Sequence, residues 1–394
     1  MEHLAKQTLA TTTSYQKPDV YGALSMPVYH CASFEFETAK QMSDVFCGRV
    51  LDPEYSRVMN PTVTFFEERV KLLTDAANVF AFSTGMAAIS NAILVFARSG
   101  KNIVTSSHLF GNTVSFFRNT LSPLGVETRE INLLDLDAVS ANVDENTCCV
   151  FLEIITNPQM EVADVRAIAD ICHEKGVPLI ADTTLIPFTE FDGRALGMDA
   201  QVVSSTKYVS GGATSLGGLV IDYGTFPQIN SKIRFELLFN LGAYMTPHAA
   251  YMQTLGLESL DARYRVQSSN ALELATRLQH VPEIKRVNYT GLPDNPFYEI
   301  SQRQYGKTAG AMVTIDLEDK DHAIAFINKL KVIHRASNLF DNKSLAIHTA
   351  STIFGPFSGS QRRAMDVLDT TIRLSIGLED VNDLYNDIVQ AVKE

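Results

Sequence analysis

No run of basic residues long enough to neutralise a phosphate backbone occurs in this sequence; Lys and Arg number 33 against 45 Asp and Glu, for a formal charge of −12. Nucleic acid is therefore not an expected partner. Nowhere do about 18 uncharged apolar residues follow one another, so no membrane-spanning helix is expected. The opening "MEHLAKQTLATTTSYQK" also lacks the apolar centre of a signal peptide. These absences point to the cytoplasm. The five cysteines, Cys31, Cys47, Cys148, Cys149 and Cys172, lack the paired spacing of a zinc site, and no metal is expected. With 45% hydrophobic and 20% charged residues, the chain has the composition of a folded globular protein and not of a disordered one.

What is present is organised in three parts. Residues 1–60, with Pro18, Pro27, Pro53 and Pro61 in or beside them, show little periodicity and read as an extended arm of the kind that contacts a neighbouring subunit. From Asn78 to Val220, short apolar runs ("NVFAF", "NIVTSS", "VETREI", "CCVFLEII", "VPLIADT", "AQVVSSTK", "LGGLVI") alternate with segments of helical spacing ("GMAAISNAILVFA", "GNTVSFFRNTL", "ADVRAIADICHEKG"). Strand and helix in alternation predict an α/β domain with a mainly parallel sheet covered on both faces, spanning 61–250. A long helix, "GLESLDARYRVQSSNALELATRLQHV", then opens a smaller α+β domain over 251–394.

Lys207, in "VVSSTKYVSGG", stands just past a predicted strand end, where open parallel sheets bind ligands. A lysine near apolar walls or a second cation loses affinity for its proton, and the neutral amine can then form a Schiff base with a carbonyl. Taken alone, an exposed surface lysine is the plainer reading. "FSTGMAAI" runs from a strand through Ser-Thr-Gly into a helix, so that backbone N–H groups near Gly85 and Met86 would face an anion. Asp182, ending "PLIAD", can meet a protonated heteroaromatic nitrogen or simply make a turn. Arg57, two residues after Tyr55 in "EYSRVMNPT", offers a planar fork for phosphate.

In order and spacing, "YSRVMNPT", "STGMAAI", "FGNT", "EIITNP", "ADTT", "SSTKYVSGG" and "IRLSIGLED" resemble the pyridoxal-phosphate enzymes of cysteine and methionine metabolism, the trans-sulfuration family. The resemblance covers nearly the whole chain and implies the aspartate-aminotransferase-like fold (fold type I). It implies that Lys207 holds pyridoxal 5′-phosphate and shuttles protons, with Ser204 and Thr206 supporting phosphate and lysine. It further implies that Gly85 and Met86 are backbone phosphate donors, that Asp182 is the ring-nitrogen partner and that Asn157 bonds the ring 3-oxygen. Glu153 corresponds to a nearby acid of undefined role. Arg373 would clamp the substrate carboxylate, helped by Ser337. Tyr55 and Arg57 would be phosphate ligands lent by the adjacent subunit, implying active dimers, usually within a homotetramer.

Phe110 stands where many relatives have tyrosine. A phenyl ring still stacks on the cofactor but gives no proton to a leaving group. Acetate leaves without that help more readily than a thiolate. The expectation is therefore γ-replacement: O-acetyl-L-homoserine with sulfide or methanethiol, giving homocysteine or methionine and acetate, as in O-acetylhomoserine sulfhydrylases. Methionine γ-lyase, cystathionine γ-synthase and O-succinylhomoserine sulfhydrylase are the alternatives, Arg49 being a candidate for a succinyl carboxylate; a catalytically silent pyridoxal-phosphate binder is the alternative of another class. Those sulfhydrylases usually have Gly where Phe340 stands, and many have His where Phe354 stands. His173 is expected on a solvated helix face, His348 at the substrate mouth, in the core or on the surface, and Phe116 with Phe117 in packing.

Overall fold

The computed structural model describes residues 4–12, 21–306 and 308–393. Seven strands form one sheet: β1 (Asn78–Phe82), β2 (Asn102–Ser106), β3 (Glu127–Ile131), β4 (Thr147–Glu153), β5 (Leu179–Asp182), β6 (Ala200–Val203) and β7 (Gly218–Asp222). They lie in the order β1-β7-β6-β5-β4-β2-β3. Neighbours from β6 to β3 pair in parallel, whereas β7 runs antiparallel to both β1 and β6. All seven coincide with the expected strand segments; six are buried at nearly every position, as strands covered on both faces must be, whereas the edge strand β3, "ETREI", is only partly buried. Alternate side chains enter two separate cores: Val150, Leu152, Leu179 and Ala181 on one face, Cys149, Phe151 and Ile180 on the other.

Five shorter strands, β8 (Arg286–Asn288), β9 (Met312–Asp316), β10 (His334–Arg335), β11 (Leu345–His348) and β12 (Thr371–Ser375), make a second sheet in the order β10-β11-β12-β9-β8. Its middle strand, β12, carries Arg373 inward. The predicted single helix near 256–281 is instead two helices, Pro247–Glu258 and Leu260–Leu278, which meet at Ser259. The N-terminal stretch is less irregular than expected. It contains the helices Lys6–Thr12 and Ala39–Phe46, the latter begun by Thr38, whose hydroxyl accepts from the Gln41 N–H. Among the described residues, no helix is long and apolar enough to cross a membrane.

Candidate active site

The carboxyl ends of β1, β4, β5 and β6 open on one cavity of about 280 Å³, lined by Gly85, Met86, Phe110, Glu153, Asn157, Asp182, Ser204, Thr206, Lys207, Ser337 and Arg373 together with apolar side chains. Ten of the twelve residues singled out in the sequence thus converge, as does Glu153. The hydroxyls around Lys207 shape its loop. Thr206 Oγ1 accepts from the Gly217 N–H at 2.9 Å and donates to Gly217 O at 3.2 Å, while Ser210 Oγ donates to Thr206 O at 2.7 Å. Gly211, at φ 77°, passes so near Gly256 that a Cβ there would lie 3.0 Å from its Cα. Lys207 Nζ donates to Asn338 Oδ1 at 2.7 Å. Burial, and then the nearby Arg373 charge, pushes the lysine down to about 8 against the opposing pull of Asp182.

At the end of β1, Thr84 begins the Gly85–Phe96 helix, its hydroxyl accepting from the Ala87 N–H. The amides of Gly85 and Met86 lie in the first turn, where no intrahelical acceptor exists, at the positive end of the helix. A Cβ on Gly85 would come within 2.6 Å of Ser204 Cβ, so only glycine brings this helix end against the lysine loop.

Asp182 accepts from the Thr184 N–H at 2.9 Å, and burial raises its pKa. Beside it, Glu153 Oε1 accepts from the Phe110 N–H at 2.6 Å. Arg373, only 4% exposed, reaches Asn157 Oδ1 at 3.4 Å and Asn338 O at 3.1 Å, and burial pushes it down to about 9. Among the described residues no carboxylate pairs with this guanidinium. A buried, unpaired cation is costly, so the site is set up for an anion. His108 draws two loops together: its Nδ1 lies 2.7 Å from Glu161 and its Nε2 3.2 Å from Asp366, linking the segment before Phe110 to the turn after Asn157.

Two expected residues lie elsewhere. Tyr55 and Arg57 line a separate surface hollow with His30 and Tyr244, and the Arg57 guanidinium sits 5.4 Å from the Tyr55 ring and bonds Phe239 O. Ser337 is exposed at the cavity rim, whereas its neighbour Asn338 touches both Lys207 and Arg373. The sequence reading passed over Asn338 because its partner Lys207 is 131 residues away. Arg49 is exposed and paired with Asp44 at 2.7 Å. His173 is exposed and 3.1 Å from Asp199. His348 is a core residue, bonded to Ser351 Oγ and Asp369 O. Phe117 packs edge-on against Phe151 at 5.6 Å, and Phe354 is fully buried.

A sequence profile of the family described as Cys/Met metabolism PLP-dependent enzyme matches residues 7–393. The O-succinylhomoserine sulfhydrylase of Pseudomonas aeruginosa is 33% identical over all of this chain and 96% of its own. The L-methionine gamma-lyase of Fusobacterium nucleatum subsp. nucleatum is 31% identical over 99% of both chains. A solved structure from Campylobacter jejuni, assigned as an O-acetylhomoserine (thiol)-lyase and carrying pyridoxyl-lysine phosphate, superposes with a TM-score of 0.95 over 99% of this chain and 100% of that one, at 31% identity. The residues here suit that group: free amides at a helix start for a phosphate, a carboxylate at Asp182 for a ring nitrogen, a phenyl face at Phe110, and a lysine whose proton is loosely held.

Proposed function

The chain belongs to the Cys/Met metabolism PLP-dependent enzyme family, and from that premise we propose that it catalyses γ-replacement on O-acetyl-L-homoserine, with sulfide giving homocysteine and acetate, or with methanethiol giving methionine. Bound pyridoxal phosphate supplies a carbonyl carbon that links to amines and an aromatic ring that draws electrons from the substrate. Lys207 would hold it, and Gly85, Met86, Ser204 and Thr206 would seat its phosphate. Asp182 would keep its ring nitrogen protonated, Asn157 would meet its 3-oxygen, and Phe110 would cover one face. Arg373 takes the substrate α-carboxylate and so fixes which bonds face Lys207. The lysine amine, whose proton burial and the Arg373 charge loosen, removes the α-proton and carries protons onward.

The observation that carries the choice of ester is Phe110, whose side chain has no proton to give a departing group. Acetate, a weak base, departs unassisted; a thiolate does so far less readily. Among the described residues, Lys207 and Arg373 are also the two cations lining the cavity, both already assigned, which favours an acetyl over a succinyl ester. We read Tyr55 and Arg57 as phosphate ligands for a second copy, within a homotetramer built of active dimers. Exposed Phe46 and Phe239, which line a hollow with them, support a covered face. The five cysteines are unpaired, as a cytoplasmic setting would keep them. The test is incubation with O-acetylhomoserine plus sulfide, with O-succinylhomoserine plus sulfide, and with methionine alone. Homocysteine is expected from the acetyl ester; 2-oxobutyrate from methionine without homocysteine synthesis would overturn the assignment.

A further inference from the structure

Two carboxyl groups face the same cavity from adjacent parallel strands. Glu153 ends β4 and Asp182 ends β5, and the two are paired in register. Side chains at paired positions of neighbouring strands point to the same side of a sheet, a strand spacing apart. Their surroundings differ in one respect. Asp182 is offset by the Lys207 charge, whereas Glu153, 5% exposed, has no ion-pair partner among the described residues. Its bond is to the Phe110 N–H, 2.6 Å from Oε1.

We propose that Glu153 and Asp182 share one ionisable charge, that the proton resides on Glu153, and that Glu153 is a positioning residue that holds the Phe110 segment while leaving Asp182 as the single anion. The reason is electrostatic: two neighbouring buried carboxylates cannot both ionise cheaply, and the member beside a cation ionises first. Burial, followed by the Asp182 charge, accordingly raises Glu153 well above the usual carboxylate range, against the opposing backbone N–H groups of Phe110 and Asn157. The other charged groups at this cavity, Lys207 and Arg373, lie toward Asp182 and Asn157. As a neutral acid Glu153 still offers an oxygen to the Phe110 amide, and the cofactor ring nitrogen meets one negative charge and not two. This rests on the reading of Asp182 as the ring-nitrogen partner.

The test compares the native electrophoretic mobility of the holoenzyme at pH 7 with that of Glu153→Gln and Glu153→Leu, calibrated by the surface change Glu299→Gln. Whichever Glu153 variant folds is expected to migrate with the wild type. A shift equal to that of Glu299→Gln would show that Glu153 is ionised and overturn the proposal. For the positioning role, equilibrium dialysis should find pyridoxal phosphate bound about tenfold more weakly by Glu153→Leu, which leaves the Phe110 donor unsatisfied, with affinity restored in Glu153→Gln. Unchanged affinity in the Leu variant would remove that role. Neither measurement involves substrate, so both stand apart from the choice of acyl ester.

Discussion

A guanidinium that is 4% exposed and meets only amide oxygens is stable in the fold at a cost, and Arg373 bears that cost inside the cavity. Its planar fork suits a carboxylate better than an ammonium would. Arg373→Lys is therefore expected to lower kcat/KM for the homoserine ester by about 10- to 100-fold, mostly through KM, as steady-state kinetics would record. Arg373 also acts on Lys207 as a like charge. Burial and that charge hold the lysine near 8, so attack by its neutral amine should quicken as pH rises through about 8. Reconstitution of apoprotein with pyridoxal phosphate, followed by absorbance, is expected to show that midpoint, and to show a higher one in Arg373→Gln. Between about 8 and the ordinary lysine value of 10.5 the unfolded chain binds the proton and the fold does not, so this group makes the apoprotein more stable as pH rises through that window.

The loop before β11 carries Asn338 to the lysine, and its shape depends on Phe340. That residue has φ 56°, a conformation that favours glycine, yet its ring is fully buried and stacked on Tyr208, next to Lys207, at 3.9 Å and 7°. Its N–H donates to Ser375 Oγ at 2.6 Å. Phe340→Gly would relieve about 1–2 kcal/mol of backbone strain but forfeit about 3–5 kcal/mol of buried phenyl packing. Packing wins, so denaturant unfolding should show a net loss of about 1–4 kcal/mol; a more stable variant would mean that strain dominates. The same loop marks where the sequence was legible and where it was not. Six strands of the first sheet lie in short apolar runs, legible because both their faces are buried, and the edge strand β3, "ETREI", was legible only from its place in the alternation of strand and helix. β8, β10 and β11 are only two to four residues long, below the length at which periodicity speaks. Helix spacing continues through Ser259, so the break there was hidden. Lys207, Asp182 and Arg373 were found from motif order, but Asn338 was not. Ser337 came from the family resemblance, while the contacts to Lys207 and Arg373 belong to its neighbour Asn338.

At the scale of the molecule, the cavity holds ten of the expected residues but not Tyr55 or Arg57, which line a separate hollow. If a second copy brings them to this site, Arg57→Ala and Lys207→Ala are each defective alone, yet mixed dimers formed by co-refolding regain one intact site. The expected recovery is about a quarter of wild-type activity per subunit pair if half the dimers are mixed; none would mean that each site is built from one chain. Two sheets, a helix start and one loop meet at Lys207, and the account stands on that residue carrying the cofactor. Borohydride reduction of the holoenzyme followed by peptide mass mapping tests this most directly. The pyridoxyl group should appear on the peptide containing Lys207 and vanish in Lys207→Ala; a tag on another lysine, or none, would contradict it.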